Sequence, residues 1–505
     1  MSRRPLRLTC SGRVEPVRVR SSGRHMERSS RRVAQRRFIA ALAIVAAGLR
    51  LAAAHAQDAN ADEDSSTPTR PAILFNRWQE DWSVLADPSV PREPLDELKY
   101  ISLSSTDPKM YLSLGADFRD RFESNDAPGF GTSGSQAENY VISRNEIHAD
   151  LRLGADIQIF TQLQSDWAPW KKVLTPVDAD RLGLEQGFIA ITRSIAKGTL
   201  KVRIGRQQIA FDIQRFVSVR DGPNVRQSYD AVWVDYERGP WRVTGFYSQP
   251  VQNRDASVFD DYSSHHLTFG GAKLERQLPA NSKLSVYYAH FTQDSVTFPS
   301  VSGNESRDIL DAHYAGAVGN VDWDLEGMRQ TGTLGPDEVR AWALGSLGGY
   351  TLAHVRWTPR LGLQVDAASG NGNPNNHVLG TFNPLFPNGY YVTLSGYTGY
   401  VNFVHVKPSL TLHPASGVQL MFAIAGQWRQ TTSDAVYTQP DIPVAGTVGA
   451  SGRYTGTYGQ FRLDWTISRA AAFAIEATRF DVSDVITRVG GHDSDYVGVE
   501  IKFGW

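Results

Sequence analysis

Five arginines, Arg203, Arg206, Arg215, Arg220 and Arg226, fall within 24 positions of this chain. A guanidinium stays charged at every relevant pH and offers a planar fork of donors that matches a carboxylate. Asp212, Asp221, Gly222 and Pro223 lie among them and break any regular strand through the run. Such a block suits two tasks. One is to line a constriction that selects anions, where each anion must be held weakly enough to leave. The other is to pair with Asp178, Asp180, Asp212 and Asp221 in a salt-bridge network that holds an inward-folded loop. The residues alone leave both open. Four more arginines, Arg144, Arg152, Arg356 and Arg462, alternate with apolar neighbours and are candidates to face the same interior.

The other reactive side chains form no constellation. His148, His290, His405 and His413 have no G-x-S-x-G elbow or paired nucleophile beside them, so no catalytic residue is expected. A lipid-cleaving barrel enzyme would need a converging Ser, His and acid, and is disfavoured. His492, Asp493 and Asp495, or Asp178, Asp180 and Glu185, offer oxygen donors but match neither an EF-hand nor a zinc spacing; neither metal nor cofactor is expected. Trp167, Trp170, Trp241, Trp357 and Tyr496 are expected in an aromatic girdle or in loops, with Trp167 and Trp170 beside Lys171 and Lys172 also suited to a saccharide at a mouth.

The elements that position these residues are strands. In the last ten residues, Val497, Val499, Ile501, Phe503 and Trp505 share one parity, and Tyr496, Gly498, Glu500, Lys502 and Gly504 the other. Successive strand side chains point to opposite faces, so this is a membrane-length strand with one apolar face for lipid and one polar face for a lumen. The alternation recurs at Tyr458 to Thr466, at Val404 to His413, at Gln419 to Arg429 and at Ala353 to Thr358. It is longest from Arg144 to Gln164, where Arg144, Glu146, His148, Asp150 and Arg152 form one row; Gly154, Ala155 and Asp156 then read as a three-residue hairpin loop that preserves parity. A row of charges at that density calls for water, because a dry interior would charge several kcal/mol per unpaired ion. The expected fold is all-β: a transmembrane antiparallel barrel of about 16 to 18 strands with a wet lumen. Asn125 to Gln136, Ser369 to Asn376 and Thr432 to Gly452, rich in Gly, Asn, Pro and Ser, read as long external loops. An arginine at Ile501 is expected to cost about 2 to 4 kcal/mol and the same change at Glu500 much less.

The other end supplies a compartment. Arg31, Arg32, Arg36 and Arg37 precede an apolar run from Phe38 to Leu49, and Ala54, His55 and Ala56 give an A-x-A site, the order of a secretory signal peptide over 1–56 with Met26 as an alternative start. Residues 57–505 then form a single barrel domain. Cys10 leaves with the leader, as do 13 of the 52 Lys+Arg and two of the 53 Asp+Glu, so the remainder carries 39 against 51 and a formal net charge of −12. That balance argues against a nucleic-acid partner. The expected setting is the outer membrane of a Gram-negative cell, reached with periplasmic chaperones and the barrel-assembly machinery, with outer-membrane lipid around a monomer.

Three blocks also resemble a known family. They are Asp81-Trp82-Ser83-Val84-Leu85 with Pro94-Leu95-Asp96, Leu98-Lys99-Tyr100-Ile101 and Leu112-Ser113-Leu114-Gly115; the run Arg203 to Asp230; and Leu379 to Gly389. Together they are similar to alginate export outer-membrane proteins. The resemblance implies an 18-stranded monomeric barrel that passes an anionic polysaccharide, and it implies the fold more strongly than alginate itself. The function expected is a porin whose arginines guide an anionic carbohydrate by passive diffusion. An uptake porin for small organic anions is the alternative in the same compartment, and a structural or adhesion role is a third.

Overall fold

The computed structural model describes residues 70–132 and 134–505, so the signal-peptide expectation over 1–56 lies outside the described residues. Eighteen long strands follow one another in chain order: β1 Met110–Asn125, β2 Glu138–Leu153, β3 Ile157–Trp167, β4 Asp180–Ile195, β5 Gly198–Gln207, β6 Tyr229–Arg238, β7 Trp241–Pro250, β8 Leu267–Leu278, β9 Ser282–Phe298, β10 Val301–Val318, β11 Val321–Leu334, β12 Asp337–Thr351, β13 Arg360–Ala368, β14 Phe403–Ala415, β15 Val418–Arg429, β16 Tyr454–Thr466, β17 Ala471–Val482 and β18 Ser494–Gly504. Each pairs antiparallel with its neighbours in sequence. The last closes on the first, Asp117 opposite Gly504 through Asn125 opposite Tyr496. Closure leaves no strand edge to face lipid, where an unsatisfied backbone group costs several kcal/mol. No described helix is long and apolar enough to cross a membrane.

Alternation sets the wall. On β2, Arg144, Glu146, His148 and Asp150 point inward and are buried, while Ile147 is more than half exposed on the outside. On β18, Tyr496 and Glu500 point inward, and Ile501 and Phe503 outward. Leu153 opposite Ile157 closes the expected three-residue hairpin. One end of the barrel carries only short turns, such as 154–156, 239–240 and 319–320, and the other carries the long connections 168–179, 208–228, 369–402 and 430–453. This asymmetry is that of outer-membrane barrels, with short turns on the periplasmic side.

Several expectations are corrected. Ala353 to Thr358 is not a strand but the β12–β13 turn: Val355 donates its N–H to Leu352 O at 3.0 Å, Thr358 donates to Val355 O at 2.9 Å, and Trp357 and Thr358 have positive φ. Of the external loop expected at Ser369 to Asn376, residues 372–376 are exposed, and it is the continuation over 378–402 that turns inward. Phe382, Leu385, Phe386, Val392 and Tyr400 pack inside the barrel against the inner faces of β6 to β14, together with Phe211, Phe216 and Val217 of the 208–228 segment. Phe386 accepts a backbone hydrogen bond from Ser218 N–H at 2.9 Å and donates its own N–H to Phe216 O at 3.0 Å, so the two inward loops form one unit. Much of 430–453 is likewise packed, with Ala435 and Thr447 fully buried. Most of the charged row on β2 is buried and paired, Arg144 with Asp221, Glu146 with Arg226 and Asp150 with Arg152, in place of the wide lumen expected around it. Tyr496, expected in the girdle, points inward and accepts a hydrogen bond from Arg121; Trp167, Trp170, Trp241 and Trp357 are exposed.

Candidate functional site

The apolar filling occupies the β6 to β14 side of the interior and leaves the polar side, β1, β2, β17 and β18, for the arginine segment. Strand β5 ends at Gln207 and the chain returns to the wall only at Tyr229. Between them, residues 221–226 lie across the interior, tied to β1 and β2 through carbonyl oxygens that only cationic forks can satisfy. Arg144 donates Nε to Asn224 O at 2.7 Å, Nη2 to Pro223 O at 2.6 Å, and pairs through Nη1 with Asp221 Oδ1 at 2.6 Å. Arg119 donates to Pro223 O at 2.9 Å and to Asp221 O. Asn224 in turn donates to Asp178 O at 3.0 Å and to Trp167 O at 2.9 Å. Gly222 is required where it stands, since a Cβ there would sit 2.7 Å from the Tyr390 ring.

Asp221 is the hub of this clasp. Arg226 Nε reaches Asp221 Oδ1 at 2.9 Å and Lys502 Nζ reaches Oδ2 at 3.6 Å, while Arg226 Nη1 also pairs with Glu146 Oε1 at 2.9 Å. Burial pushes the Asp221 carboxyl up, but Arg226, Arg144 and Lys502 outweigh it and hold it well below the usual carboxylate range. Four cations thus surround one carboxylate, with Glu146 and Glu500 close by.

The segment separates two cavities. On the long-loop side a cavity of about 260 Å³ is lined by Tyr140, Lys171, Arg220, Gly222, Tyr390 and Tyr496. On the short-turn side another of about 260 Å³ is lined by Phe75, Arg119, Arg144, Arg226 and Lys502. A third, about 380 Å³, also borders Arg220, with Asp441 and Phe386 on its wall.

The nine nominated arginines separate into distinct environments. Arg206 makes a bidentate pair with Asp230, at 2.8 and 3.0 Å. Arg215 is fully buried between Asp324, at 2.9 Å, and Glu326, and lies 4.8 Å from the Tyr391 ring centre. Arg462 pairs with Asp464 at 2.7 Å and with Glu476. Arg152 pairs with Asp150 at 2.8 Å and donates to Trp78 O at 2.7 Å. Arg144 and Arg226 belong to the Asp221 clasp. Arg356 lies in the exposed β12–β13 turn beside Trp357, outside the interior, and is not part of the site. Arg203 is wedged against Trp78, Phe188 and Trp233. Among the described residues, Arg220 has no carboxylate within ion-pair distance. It donates only to Leu385 O, at 3.3 Å, and its guanidinium lies 5.6 Å from the Phe386 ring centre.

Asp441 is the carboxylate whose charge bears on Arg220. Burial raises its pKa to about 8 against the pull of Arg220, so at neutral pH it is protonated and leaves the guanidinium uncompensated. Arg119, Arg121 and Tyr390 are site residues that the sequence did not single out, and they join Lys171, expected at a mouth, and Lys502, expected on a lumen face. A signal existed for two of them: Asp117, Arg119, Arg121 and Glu123 alternate with Phe118 and Phe122 on β1 as clearly as the charged row does on β2.

Of the candidate histidines, His148 stacks on Phe160 with its Nδ1 unpartnered among the described residues, and His413 lies 3.4 Å from the Thr358 hydroxyl. His405 sits between Asp366, at 3.0 Å, and the Tyr458 hydroxyl, at 2.8 Å, fully buried, and His290 lies beside Asp308. Among the described residues no group of three His, Cys, Asp or Glu side chains is placed to hold a metal.

The family described as Alginate export matches the chain over residues 110–500, from the first barrel strand into the last. The chain belongs to the alginate export family. Solved structures share the fold of this alginate export barrel. OccAB1 of Acinetobacter baumannii is 11% identical over 81% of this chain and 99% of its own, with a TM-score of 0.54. OpdK of Pseudomonas aeruginosa is 11% identical over 78% of this chain and 99% of its own, at 0.52. OccK2 (OpdF) of Pseudomonas aeruginosa, solved in complex with glucuronate, is 12% identical over 78% and 96%, at 0.50. No curated protein sequence matches.

Proposed function

We propose that this barrel sits in the outer membrane and passes a carboxylated sugar, polymeric uronate of the alginate type, by passive diffusion between the two cavities that flank residues 221–226. The observation that carries the reading is Arg220. It lines the long-loop cavity and the adjoining one, and among the described residues no carboxylate lies within ion-pair distance of it. The other arginines of the block are consumed by pairs or by aromatic contacts, so they hold the segment while Arg220 meets the solute. Each task suggested by the sequence then falls to a different subset of one block. Tyr390 and Tyr140 beside Arg220 and Lys171 give a saccharide apolar faces next to cationic donors.

Family membership supports transport of an anionic polysaccharide. The glucuronate bound by the structurally similar OccK2 supports the same chemistry in a smaller molecule, so uptake of single sugar acids is the second reading. Both need a carboxylate to pass Arg220. A carboxylate 4 Å from a guanidinium gains about 1 kcal/mol in water and about 4 kcal/mol at an effective dielectric of 20. Replacing Arg220 by Gln is therefore expected to weaken block of single channels by oligouronate at least about fivefold. Channels of the variant blocked as tightly as wild type would refute the assignment. Block by polymer but not by monomeric glucuronate would favour the first reading over the second.

A further inference from the structure

Residues 70–100 fold against the short-turn end of the barrel in two halves of different character. The second half is anchored: Trp82, Leu85 and Val90 pack with Tyr111 of β1 in a buried apolar cluster. The first half, 70–80, is held mainly by polar and cation–π contacts, with Trp78 packed on the Phe160, Phe188 and Ala190 cluster and Arg70 paired with Asp96 of the second half. Arg152 donates to Trp78 O at 2.7 Å and Glu80 O at 3.1 Å, and Gln158 donates to Trp78 O at 2.8 Å. The Trp78 ring lies between Lys201, at 4.5 Å, and Arg203, at 4.4 Å, and meets Phe188 edge-on. Arg77 pairs with Asp117 at 3.1 Å and donates to Trp505 O. Phe75 lies under the Arg226 guanidinium at 4.6 Å.

These contacts bear on the passage directly. Ile73, Leu74 and Phe75 form one wall of the short-turn cavity, opposite Arg119, Arg144 and Lys502, so a solute that crosses residues 221–226 meets them next. Arg152, which also pairs with Asp150, and Arg203, which also lies against Phe188 and Trp233, both contact Trp78. Segments held by few buried apolar contacts are the ones that open locally, and here the buried Arg77–Glu80 pair, at 2.8 Å, lies within the segment and can move with it.

We propose that residues 70–80 are a latch across the short-turn mouth, pivoting next to the exposed Asp81, and that its release widens this exit and hands Arg152 and Arg203 to the passing anion. Trp78 is the bolt. The inference rests on the passage reading above and adds to it a moving part with its own contacts.

The test uses the full barrel in planar bilayers with Trp78→Cys and Gln158→Cys, two neighbouring positions in a chain that has no cysteine after Cys10. Bridged by a short reducible cross-linker the latch is shut; reduced, it is free and lacks its bolt. Single-channel conductance is expected to rise severalfold on reduction and fall again on re-bridging. Equal conductance in both states would overturn the proposal, as would failure of the assembled protein to bridge. Arg152→Gln, which removes two latch donors, provides an independent arm: it should raise open probability with both cysteines absent, and no change there counts against the latch. A wild-type barrel that conducts while neither manipulation matters rejects the latch alone. A barrel that conducts in no state rejects the passage reading itself.

Discussion

Arg215 is the arginine whose removal should damage the protein rather than its selectivity. Its guanidinium is fully buried between Glu326 and Asp324, with Gly345 leaving it room on β12. Asp324 keeps His313 as a partner at 2.7 Å, but among the described residues Glu326 has no other cation within ion-pair distance. Arg215→Met fills similar volume and abandons that carboxylate. Breaking a buried pair by deleting one member costs about 3 to 5 kcal/mol, against roughly 5 to 15 kcal/mol of total stability for a typical domain. Removing both members by Arg215→Met with Glu326→Leu should restore most of the loss, since a buried pair replaced by apolar groups is often near neutral. Arg220→Gln strands no carboxylate and should cost less than about 1 kcal/mol. Urea titration in lipid vesicles, followed by tryptophan fluorescence and by heat-modifiable mobility on gels, measures all three. A stable Arg215→Met, or an Arg220→Gln as damaging as it, would refute the division of the block into bracing and guiding arginines.

Three further outcomes follow from the same geometry. Raising the pH from about 7 to 9 ionises Asp441 as it passes its pKa of about 8, so the carboxylate begins to neutralise Arg220 and anion preference should fall; Asp441→Asn should keep the preference flat over that range. Burial, with Arg77 and Arg70 adding to it against Glu80 and Asp117, lowers Lys99 to about 8 beside His148; a free lysine stays protonated to 10.5, so docking of residues 70–100 should tighten as pH rises from about 8 towards 10.5, read as slower proteolysis after Asp87 and lost in Lys99→Met. Ile424, outward at mid-strand on β15, should cost about 2 to 4 kcal/mol as arginine in bilayer refolding, and Ile501, three residues from the end of β18, less; the control expected at Glu500 fails, because Arg121, Arg119 and Lys502 lie within 4 Å and an arginine there would join three cations.

Much of the wall was legible because parity is local. Val497 to Trp505 and the Arg144 to Arg152 row each announce a face within ten residues, and Gly154-Ala155-Asp156 announces the turn. The interior was not legible for the opposite reason. Asp324 and Glu326 lie 109 and 111 residues from Arg215, and Glu146 lies 80 from Arg226, so no spacing could tell a braced arginine from a free one. Phe382, Leu385 and Phe386 are scattered among Pro, Asn and Gly without a period, so no spacing announces that tertiary packing buries them. Arg356 shared the alternation of a strand, but Pro359 and the positive φ of Trp357 and Thr358 turn the chain there.

The measurement that bears most directly on the account is the reversal potential of single wild-type channels under a salt gradient at pH 7. The exposed carboxylates that give the chain its negative balance are screened beyond about 8 to 10 Å, whereas the field of a charge in a narrow, low-dielectric passage is focused. An uncompensated Arg220 therefore predicts anion preference in a protein of formal net charge −1 as a whole and −12 without residues 1–56. A reversal potential on the cation side would contradict it.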